Sequence, residues 1–255
     1  MEAPWPPMHR AARDGDVDAL RRAVETNVSP DVACPDGLVP LHCVVHYASR
    51  HRRPHGVSDR DREDTYNRVA CIHLLIDAGA NVSAATQENR MTALMYAAAG
   101  GHPTLVAALL DAGSDVNSLS SRDWMPLHYA IYSDQNSEEC ARLLINAGAA
   151  VDASCDVLNG YRRTPLELAT LRRFSRIYPI LLRAGAALPA HPTAAYLRKV
   201  RAAGGIKKYE RTHLNALTAS FAPKFSHLLP PELVRRVVEY AFHVGDYWTT
   251  SVRAE

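Results

Sequence analysis

The chain has 255 residues, of which 47% are hydrophobic, and a formal net charge of +2. This length and apolar content are sufficient for a continuous core, and the small net charge excludes the strongly basic composition typical of nucleic-acid-binding proteins. No apolar stretch reaches the roughly 18 residues that a membrane-spanning helix requires.

The cysteines and the first residues indicate a compartment. The five cysteines form no Cys-x-x-Cys pair, and an odd number of thiols is typical of a reducing environment. The proline-rich start of the chain does not resemble a signal peptide. We therefore expect an intracellular protein of the cytoplasm, the nucleus or both.

A phrase of two leucines followed three or four residues later by glycine recurs along the chain. Its glycines are spaced by 34, 35 and 37 residues, close to the roughly 33-residue period of one class of helical repeats. The phrases contain Gly79, Gly113, Gly148 and Gly185. Repeats of this length stack side by side, because each one buries the apolar face of its neighbour. A single repeat is therefore not expected to be stable alone.

A second phrase predicts where the first helix of each repeat begins. Its copies are Val39-Pro40-Leu41-His42, Thr92-Ala93-Leu94-Met95, Met125-Pro126-Leu127-His128 and Thr164-Pro165-Leu166-Glu167. Proline suits the first helical position, and the threonine before it caps the helix. Val39 and Met125 cannot cap, which predicts first turns less stable by about 1 kcal/mol each. An opening repeat is predicted to begin near Met8.

The two phrases together resemble the ankyrin repeat family, whose repeats begin with Thr-Pro-Leu-His and end with Leu-Leu-x-x-Gly-Ala. The resemblance implies five repeats over residues 5–190. It implies an all-α repeat solenoid, in which helix-turn-helix units stack and short β-hairpin loops join them. It also implies a non-enzymatic module that binds another protein and needs no cofactor.

The second repeat is longer than the others by about 20 residues, near positions 49–68. Charged residues, proline and glycine are abundant there, which predicts a solvated loop. A partner-binding loop and a neutral insertion are both compatible with this composition. The neutral insertion is favoured, because long surface loops cost little conformational entropy.

Residues 191–250 predict a helical tail after the repeats. Its last helix follows Pro230 and carries apolar residues at helical spacing. This helix resembles the first helix of an F-box, such as the short F-box-like tail that closes the ankyrin proteins of poxviruses. That resemblance implies docking to a Skp-type adaptor of a cullin ubiquitin ligase through Pro230, Leu233, Val234, Val237 and Val238. The other interpretation, a cap that covers the open end of the solenoid, is favoured, because every solenoid requires one.

Metal binding and catalysis are disfavoured by the sequence. His42, His46, His51 and His55 are close enough in the chain to suggest a metal site. However, His42 and His128 occupy the histidine position of the ankyrin phrase, which the family uses for local hydrogen bonding. The chain contains no nucleophile elbow and no phosphate-binding loop. We therefore expect no metal site and no catalytic residues.

Ankyrin proteins bind their partners through the hairpin tips and the concave face of the first helices. In this chain those positions hold mainly arginine and aromatic residues, which contribute strongly to binding energy. The resemblance implies partner contacts at Trp124, Arg122, Arg90, Met91, Tyr132, Tyr161, Arg162, Arg172 and His46. Trp124 is expected to be the main contact, exposed at a tip without a structural role. The alternative for Trp124 is a ring folded back onto Tyr161.

The sequence favours a protein-binding solenoid closed by a helical tail, and the leading refinement of this function is that the tail recruits a ubiquitin ligase adaptor. A plain scaffold or inhibitor, whose tail only caps the solenoid, is one alternative. A nucleic-acid-associated regulator is another, and it predicts binding that weakens steeply with salt. The exposure of Leu233, Val237 and Val238 distinguishes an adaptor-docking tail from a cap.

Overall fold

The computed structural model describes residues 5–26, 28–48, 59–133, 137–158, 161–225 and 230–244. The chain divides into two compact units, Met1–Arg172 and Arg173–Glu255. The first unit contains α1 (Pro7–Asp14), α2 (Val17–Val24), α3 (Pro40–His46), α4 (Asp59–Asp77), α5 (Ala93–Ala99), α6 (Pro103–Asp111), α7 (Pro126–Tyr132), α8 (Ser137–Asn146), β1 (Cys155–Leu158), β2 (Tyr161–Arg163) and α9 (Pro165–Leu171). The second unit contains α10 (Tyr178–Arg183), α11 (Ala195–Ala202), α12 (Ile206–Phe225) and α13 (Pro231–Val244).

The first unit is a stack of helical pairs. The first helices α1, α3, α5, α7 and α9 contact one another in chain order, and the second helices α2, α4, α6 and α8 form a parallel series of contacts. The two helices of each of the first four pairs also contact each other. The structure thus confirms an all-α repeat solenoid, with only a small two-stranded sheet among the described residues.

Leucines of the recurring phrase fill the interior of this stack. Leu75, Leu109 and Leu144 are completely buried, and each such burial stabilises the fold by roughly 1.5 to 3 kcal/mol. Helix α6 ends at Asp111, and Gly113, two residues later, has a φ of +85°. Glycine adopts this conformation without the steric cost that a Cβ atom would add.

Histidines join the first helices to the hairpins that follow them. The Nδ1 atom of His42 accepts a hydrogen bond from the backbone N–H of Val39 at 3.3 Å, and its Nε2 atom donates to the carbonyl of Ala84 at 2.9 Å. His128 makes the equivalent two bonds, beginning with the N–H of Met125 at 3.1 Å. Each histidine thus supplies half of a capping box, a contribution that the expectation for Val39 and Met125 omitted. Burial lowers the pKa of both rings to about 4.

His9 occupies the same position in the opening repeat but makes only one of these bonds. Its Nε2 atom donates to the carbonyl of Val32 at 2.8 Å. Its buried Nδ1 atom has no hydrogen-bond partner in the part of the chain that the structure describes. The reason is chemical, because the residue three positions earlier is Pro6, which has no N–H.

Threonine caps begin two of the first helices, as predicted. The Oγ1 atom of Thr92 accepts from the N–H of Met95 at 3.4 Å. The Oγ1 atom of Thr164 accepts from the N–H of Glu167 at 3.3 Å, and the Glu167 carboxylate accepts from the N–H of Thr164 at 3.2 Å. The fifth repeat therefore has a complete capping box.

The insertion near 49–68 is helical in its second half. Residues 49–58, with the metal candidates His51 and His55, lie outside the described residues. From Asp59 onward the chain belongs to α4, which has 19 residues against 8 to 10 in α2, α6 and α8. The expectation of a solvated loop is therefore wrong for this half of the insertion.

Arg68 explains why this segment is ordered against the stack. Its side chain is only 1% exposed, and its Nε atom donates to the carboxylate of Asp64 at 2.9 Å. Its Nη1 atom donates to the carbonyl of Val44 at 2.6 Å and to that of Arg13 at 3.3 Å. A buried guanidinium held in this way ties α4 to the backbone of the first two repeats.

The second unit begins with a 3₁₀ turn, Ser175–Ile177, followed by α10. Pro179 lies in the first turn of α10, which agrees with the expectation that this helix begins late. Three tyrosines pack in this unit: the ring centroids of Tyr178 and Tyr196 lie 6.2 Å apart, and those of Tyr196 and Tyr209 lie 5.5 Å apart.

The predicted tail forms the helices α11, α12 and α13. Helix α12 contacts both α11 and α13, and Pro223 lies near its end. Within the predicted tail, residues 226–229 and 245–250 lie outside the described residues.

Candidate protein-binding surface

The hairpins between repeats carry most of the predicted contact residues, and hydrogen bonds hold successive hairpins together. The N–H of Ser121 donates to the carbonyl of Asn89 at 2.9 Å. The N–H of Asp156 donates to the carbonyl of Arg122 at 3.1 Å. These bonds connect three successive hairpins, those that precede α5, α7 and α9.

Trp124 is a buried residue of the hairpin before α7. Its side chain belongs to the core, with 8% of the residue exposed, and its Nε1 atom donates to the carbonyl of Asp156 at 2.6 Å. The ring centroid lies 5.1 Å from that of Tyr129 and 5.4 Å from that of Tyr132. The expectation of an exposed tip residue without a structural role is therefore wrong. Among the described side chains, the ring folds back onto these two tyrosines and not onto Tyr161.

The position of Trp124 relative to α7 explains its burial. It precedes the N-cap residue Met125, and Tyr129 is the fourth residue of the helix. An apolar pair at these positions is a hydrophobic staple, which fixes the angle at which the chain enters a helix. Leu38 and Cys43 hold the equivalent positions around α3, and both are buried. This spacing was present in the sequence and could have predicted the burial of Trp124.

Tyr132 and Arg172 meet on the first helices α7 and α9. The Arg172 guanidinium lies 4.5 Å from the ring centroid of Tyr132, and its Nη2 atom donates to the carbonyl of Tyr132 at 3.3 Å. Tyr132 remains half exposed, and the large apolar side chain of Leu171 is exposed as well. The structure thus brings these two predicted residues together as a cation–π pair, which contributes about 0.5 to 1 kcal/mol at exposed sites.

Tyr161 and Arg162 lie on β2, and they differ in how firmly they are held. Tyr161 is 67% exposed. Arg162 donates to the carboxylate of Asp123 at 2.8 Å and to the hydroxyl and carbonyl of Ser154 at 2.9 and 2.6 Å. Arg163, which the sequence analysis did not select, places its guanidinium 6.0 Å from the Tyr161 ring.

Arg90 and Arg122 are exposed at two successive tips. Arg90 has a φ of +52°, a conformation uncommon for residues other than glycine, and its N–H donates to the carbonyl of Thr86 at 2.9 Å. Met91 is half-buried, and its N–H donates to the hydroxyl of Thr86 at 3.0 Å. The hairpin backbone therefore holds Arg90 at the tip while its side chain projects from it.

His46 is half-buried among aromatic rings. Its ring centroid lies 4.9 Å from that of Tyr47 and 5.0 Å from that of Tyr96, in both cases edge to face. These contacts give His46 a structural role at the end of α3.

The candidate docking residues around α13 divide into two groups. Val234 and Val238 are buried, in a helix that packs against α12. Leu233 is 43% exposed and Val237 is 57% exposed. Pro230, just before the helix, is exposed.

The described residues offer no cluster of histidine, cysteine, aspartate and glutamate that would hold a metal ion. His42 in particular uses both ring nitrogens in the backbone bonds given above. No helix in the described part of the chain combines the length and apolar character needed to cross a bilayer.

Comparison with known proteins agrees with the repeat architecture. Residues 65–155 match the family model for ankyrin repeats, in three copies. Ankyrin repeats are therefore present in this chain, and they imply protein–protein interaction.

Relatives share part of their length with the chain. XBAT31 of Arabidopsis thaliana is 29% identical over 162 residues, which are 59% of this chain and 31% of the relative. E3 ubiquitin-protein ligase KEG of the same plant is 26% identical over 144 residues, which are 56% of this chain and 8% of the relative. Human ankyrin repeat and SOCS box protein 3 is 31% identical over 120 residues, which are 46% of this chain and 19% of the relative. The chain spans less than a third of the length of each.

Proposed function

We propose that the protein binds a partner protein through an arginine–tyrosine surface, formed by Arg122, Tyr132, Tyr161, Arg162 and Arg172. The observation that carries this proposal is the exposure of Tyr132 and Tyr161 on a rigid frame of hydrogen-bonded hairpins. Exposed tyrosine and arginine side chains supply large contact area and directional hydrogen bonds, and they dominate binding energy at interfaces.

The contacts of this surface favour binding because they hold its side chains in place before a partner arrives. Arg172 is fixed over the Tyr132 ring, and Arg162 is fixed between Asp123 and Ser154. Side chains that are already ordered lose less conformational entropy on association. The Trp124 ring packs edge to face against the Tyr132 ring, and Trp124 is not itself proposed to contact the partner.

The test is affinity capture with the tagged full-length chain, quantified by mass spectrometry. The double variant Tyr132→Ala/Tyr161→Ala is expected to lose at least one captured protein. Tyr66→Ala is the matched control, because Tyr66 is an exposed tyrosine on α4. Circular dichroism should show equal helix content in both variants. The same set of captured proteins from wild type and the double variant would contradict the proposal.

A second proposal concerns the tail. We infer that α13 docks a Skp-type adaptor of a cullin ubiquitin ligase, so that the protein bound by the repeats becomes a ubiquitination substrate. Leu233 and Val237 are exposed and could contact an adaptor, whereas Val238, the third residue of this face, is buried. Two of the relatives, E3 ubiquitin-protein ligase KEG and human ankyrin repeat and SOCS box protein 3, are in line with this role.

Purified Skp-type adaptor provides the test of this second role. Leu233→Asp/Val237→Asp should abolish its binding to the full chain, since a carboxylate in an apolar interface loses hydration without gaining a partner. Lys207→Asp/Lys208→Asp, two charge changes on α12, is the control and should bind normally. If wild type shows no binding, the plain scaffold or inhibitor remains, with a tail that only caps.

A further inference from the structure

Three successive hairpins each carry an arginine, which stands two, three and one residues before the N-cap of the following helix: Arg90, Arg122 and Arg163. We call these residues the arginine row. Arg90 and Arg122 are exposed, and Arg163 is half-buried beside the ring of Tyr161. None of the three forms an ion pair with another residue in the described ranges. The row therefore carries cationic charge that no acidic residue in the described part of the chain pairs.

The acidic residues nearby do not cancel this charge pattern. Asp123 is engaged by Arg162 at 2.8 Å. Glu88 shares the hairpin of Arg90 but forms no ion pair with it. The hairpin before α3, residues 29–38, has two aspartates and no lysine or arginine. The row therefore ends at the second repeat, where the sign of the tip charge reverses.

We propose that the arginine row binds an extended, acidic segment of the partner protein, with a carboxylate at about every third residue. This inference rests on the proposed partner binding and adds the chemistry of the bound segment. Packed helices lie roughly 8 to 10 Å apart, and an extended chain advances about 3.3 Å per residue. Three residues of an extended segment therefore cover the step from one hairpin to the next.

The chemistry of the side chains supports a carboxylate ligand. Arginine binds carboxylates through two parallel hydrogen bonds, which adds geometric specificity to the charge attraction. The backbone bonds from Ser121 to Asn89 and from Asp156 to Arg122 keep the three hairpins at a constant spacing. Arginines on hairpins joined in this way favour a ligand whose anionic groups are also spaced apart.

The experiment measures the fluorescence anisotropy of labelled peptides with the full-length chain. The probe is a peptide of about 15 residues, five copies of Glu-Ala-Thr, which is long enough to span three hairpins when extended. Two peptides serve as controls: one replaces every glutamate by glutamine, and the other has the same composition with its glutamates in one block. A single-stranded oligothymidine of equal length tests whether the row instead binds a polynucleotide.

The variant Arg90→Glu/Arg122→Glu/Arg163→Glu should bind the spaced acidic peptide at least about tenfold more weakly than wild type. Arg10→Glu/Arg21→Glu/Arg22→Glu changes the net charge equally on exposed positions of the first repeat, and it should bind within about twofold of wild type. The affinity should fall as salt increases, because the contacts are exposed ion pairs.

Four results would overturn the inference. They are equal binding of the glutamine peptide, equal binding of the blocked peptide, tighter binding of the oligothymidine, and equal losses in the two triple variants. If capture through Tyr132 and Tyr161 succeeds and the captured partner does not bind by an acidic segment, the proposed function stands and this inference falls. If the peptide binds as expected and the tyrosine variants capture normally, the acidic-segment inference stands and the proposed tyrosine contacts fall.

Discussion

Two aromatic residues on adjacent hairpins behave in opposite ways. Trp124 has its ring packed against Tyr129 and its indole N–H bonded to the carbonyl of Asp156. Tyr161, on the next hairpin, is 67% exposed and packs beside Arg163. Both looked like tip residues in the sequence, yet one is part of the core and the other is available to a partner.

The difference in exposure between Trp124 and Tyr161 depends on how many residues separate each of them from the following helix. Trp124 stands directly before an N-cap residue, where an apolar side chain reaches the fourth residue of the helix. Tyr161 stands three residues before the N-cap Thr164, on the strand β2. The number of residues between a hairpin side chain and the start of the next helix therefore has to be known before that side chain is assigned to a binding surface.

The largest expected effect is on the stability of the hairpin before α7. Trp124→Ala should lower the free energy of unfolding by about 3 to 5 kcal/mol, since it removes a large buried ring and leaves a cavity. Urea unfolding followed by circular dichroism measures this change. A loss below about 1 kcal/mol would mean that the ring is not packed as described.

The next largest effect is that of acid, which should destabilise the hairpin before α7 more than the hairpin before α9. His128, whose ring centroid lies 6.2 Å from that of Trp124, has its pKa lowered to about 4 by burial, and so does His42. Because the folded-state pKa lies below the ordinary value of 6.5, the stabilisation is complete above about pH 6.5 and declines as the pH falls toward 4. Protonation of each ring should lower the free energy of unfolding by about 2 kcal/mol when the pH falls to ~5.

Unfolding at pH ~7 and pH ~5 checks this dependence. His128→Gln should reduce the loss of stability by about 2 kcal/mol, whereas His42 and His9, whose pKa is also lowered by burial, continue to titrate. The fifth repeat has Glu167 at the position equivalent to His128 and should not contribute in this range. An unchanged pH dependence in His128→Gln would contradict the assignment.

A smaller change isolates the hydrogen bond of Trp124 from its packing. Trp124→Phe keeps an aromatic ring but leaves the carbonyl of Asp156 without the indole donor, which should cost about 1 to 3 kcal/mol. The same urea titration measures it. A cost equal to that of Trp124→Ala would show that the bond, and not the packing, holds the hairpin.

The smallest expected effect is that of a substitution at Tyr161. Tyr161→Ala should change the free energy of unfolding by less than about 0.5 kcal/mol, because its ring is mostly in solvent. A loss of 2 kcal/mol or more would place Tyr161 in the core and would remove it from the proposed binding surface.

The sequence predicted the parts of the structure that depend on short-range chemistry. Thr92 and Thr164 cap their helices, and leucines such as Leu109 fill the core, because these roles follow from position within one repeat. The burial of Trp124 was equally local, and attention to Tyr129 would have predicted it.

Arg68 and the arginine row required the folded chain. Arg68 donates to carbonyls that are 24 and 55 residues away, and no local pattern marks a charged residue for burial. The pairing of Arg162 with Asp123 likewise joins residues 39 apart. This pairing neutralises Arg162, whereas Arg163 forms no ion pair with another of the described residues.

The missing donor at Pro6 bears on how the solenoid comes apart. His9 keeps one backbone bond where His42 and His128 keep two, so the opening repeat is the least secured of the three. Thermal unfolding should begin at the amino-terminal repeat and then proceed to the following repeats in chain order. Amide protons of α1 should then exchange with deuterated solvent before those of α3 and α7.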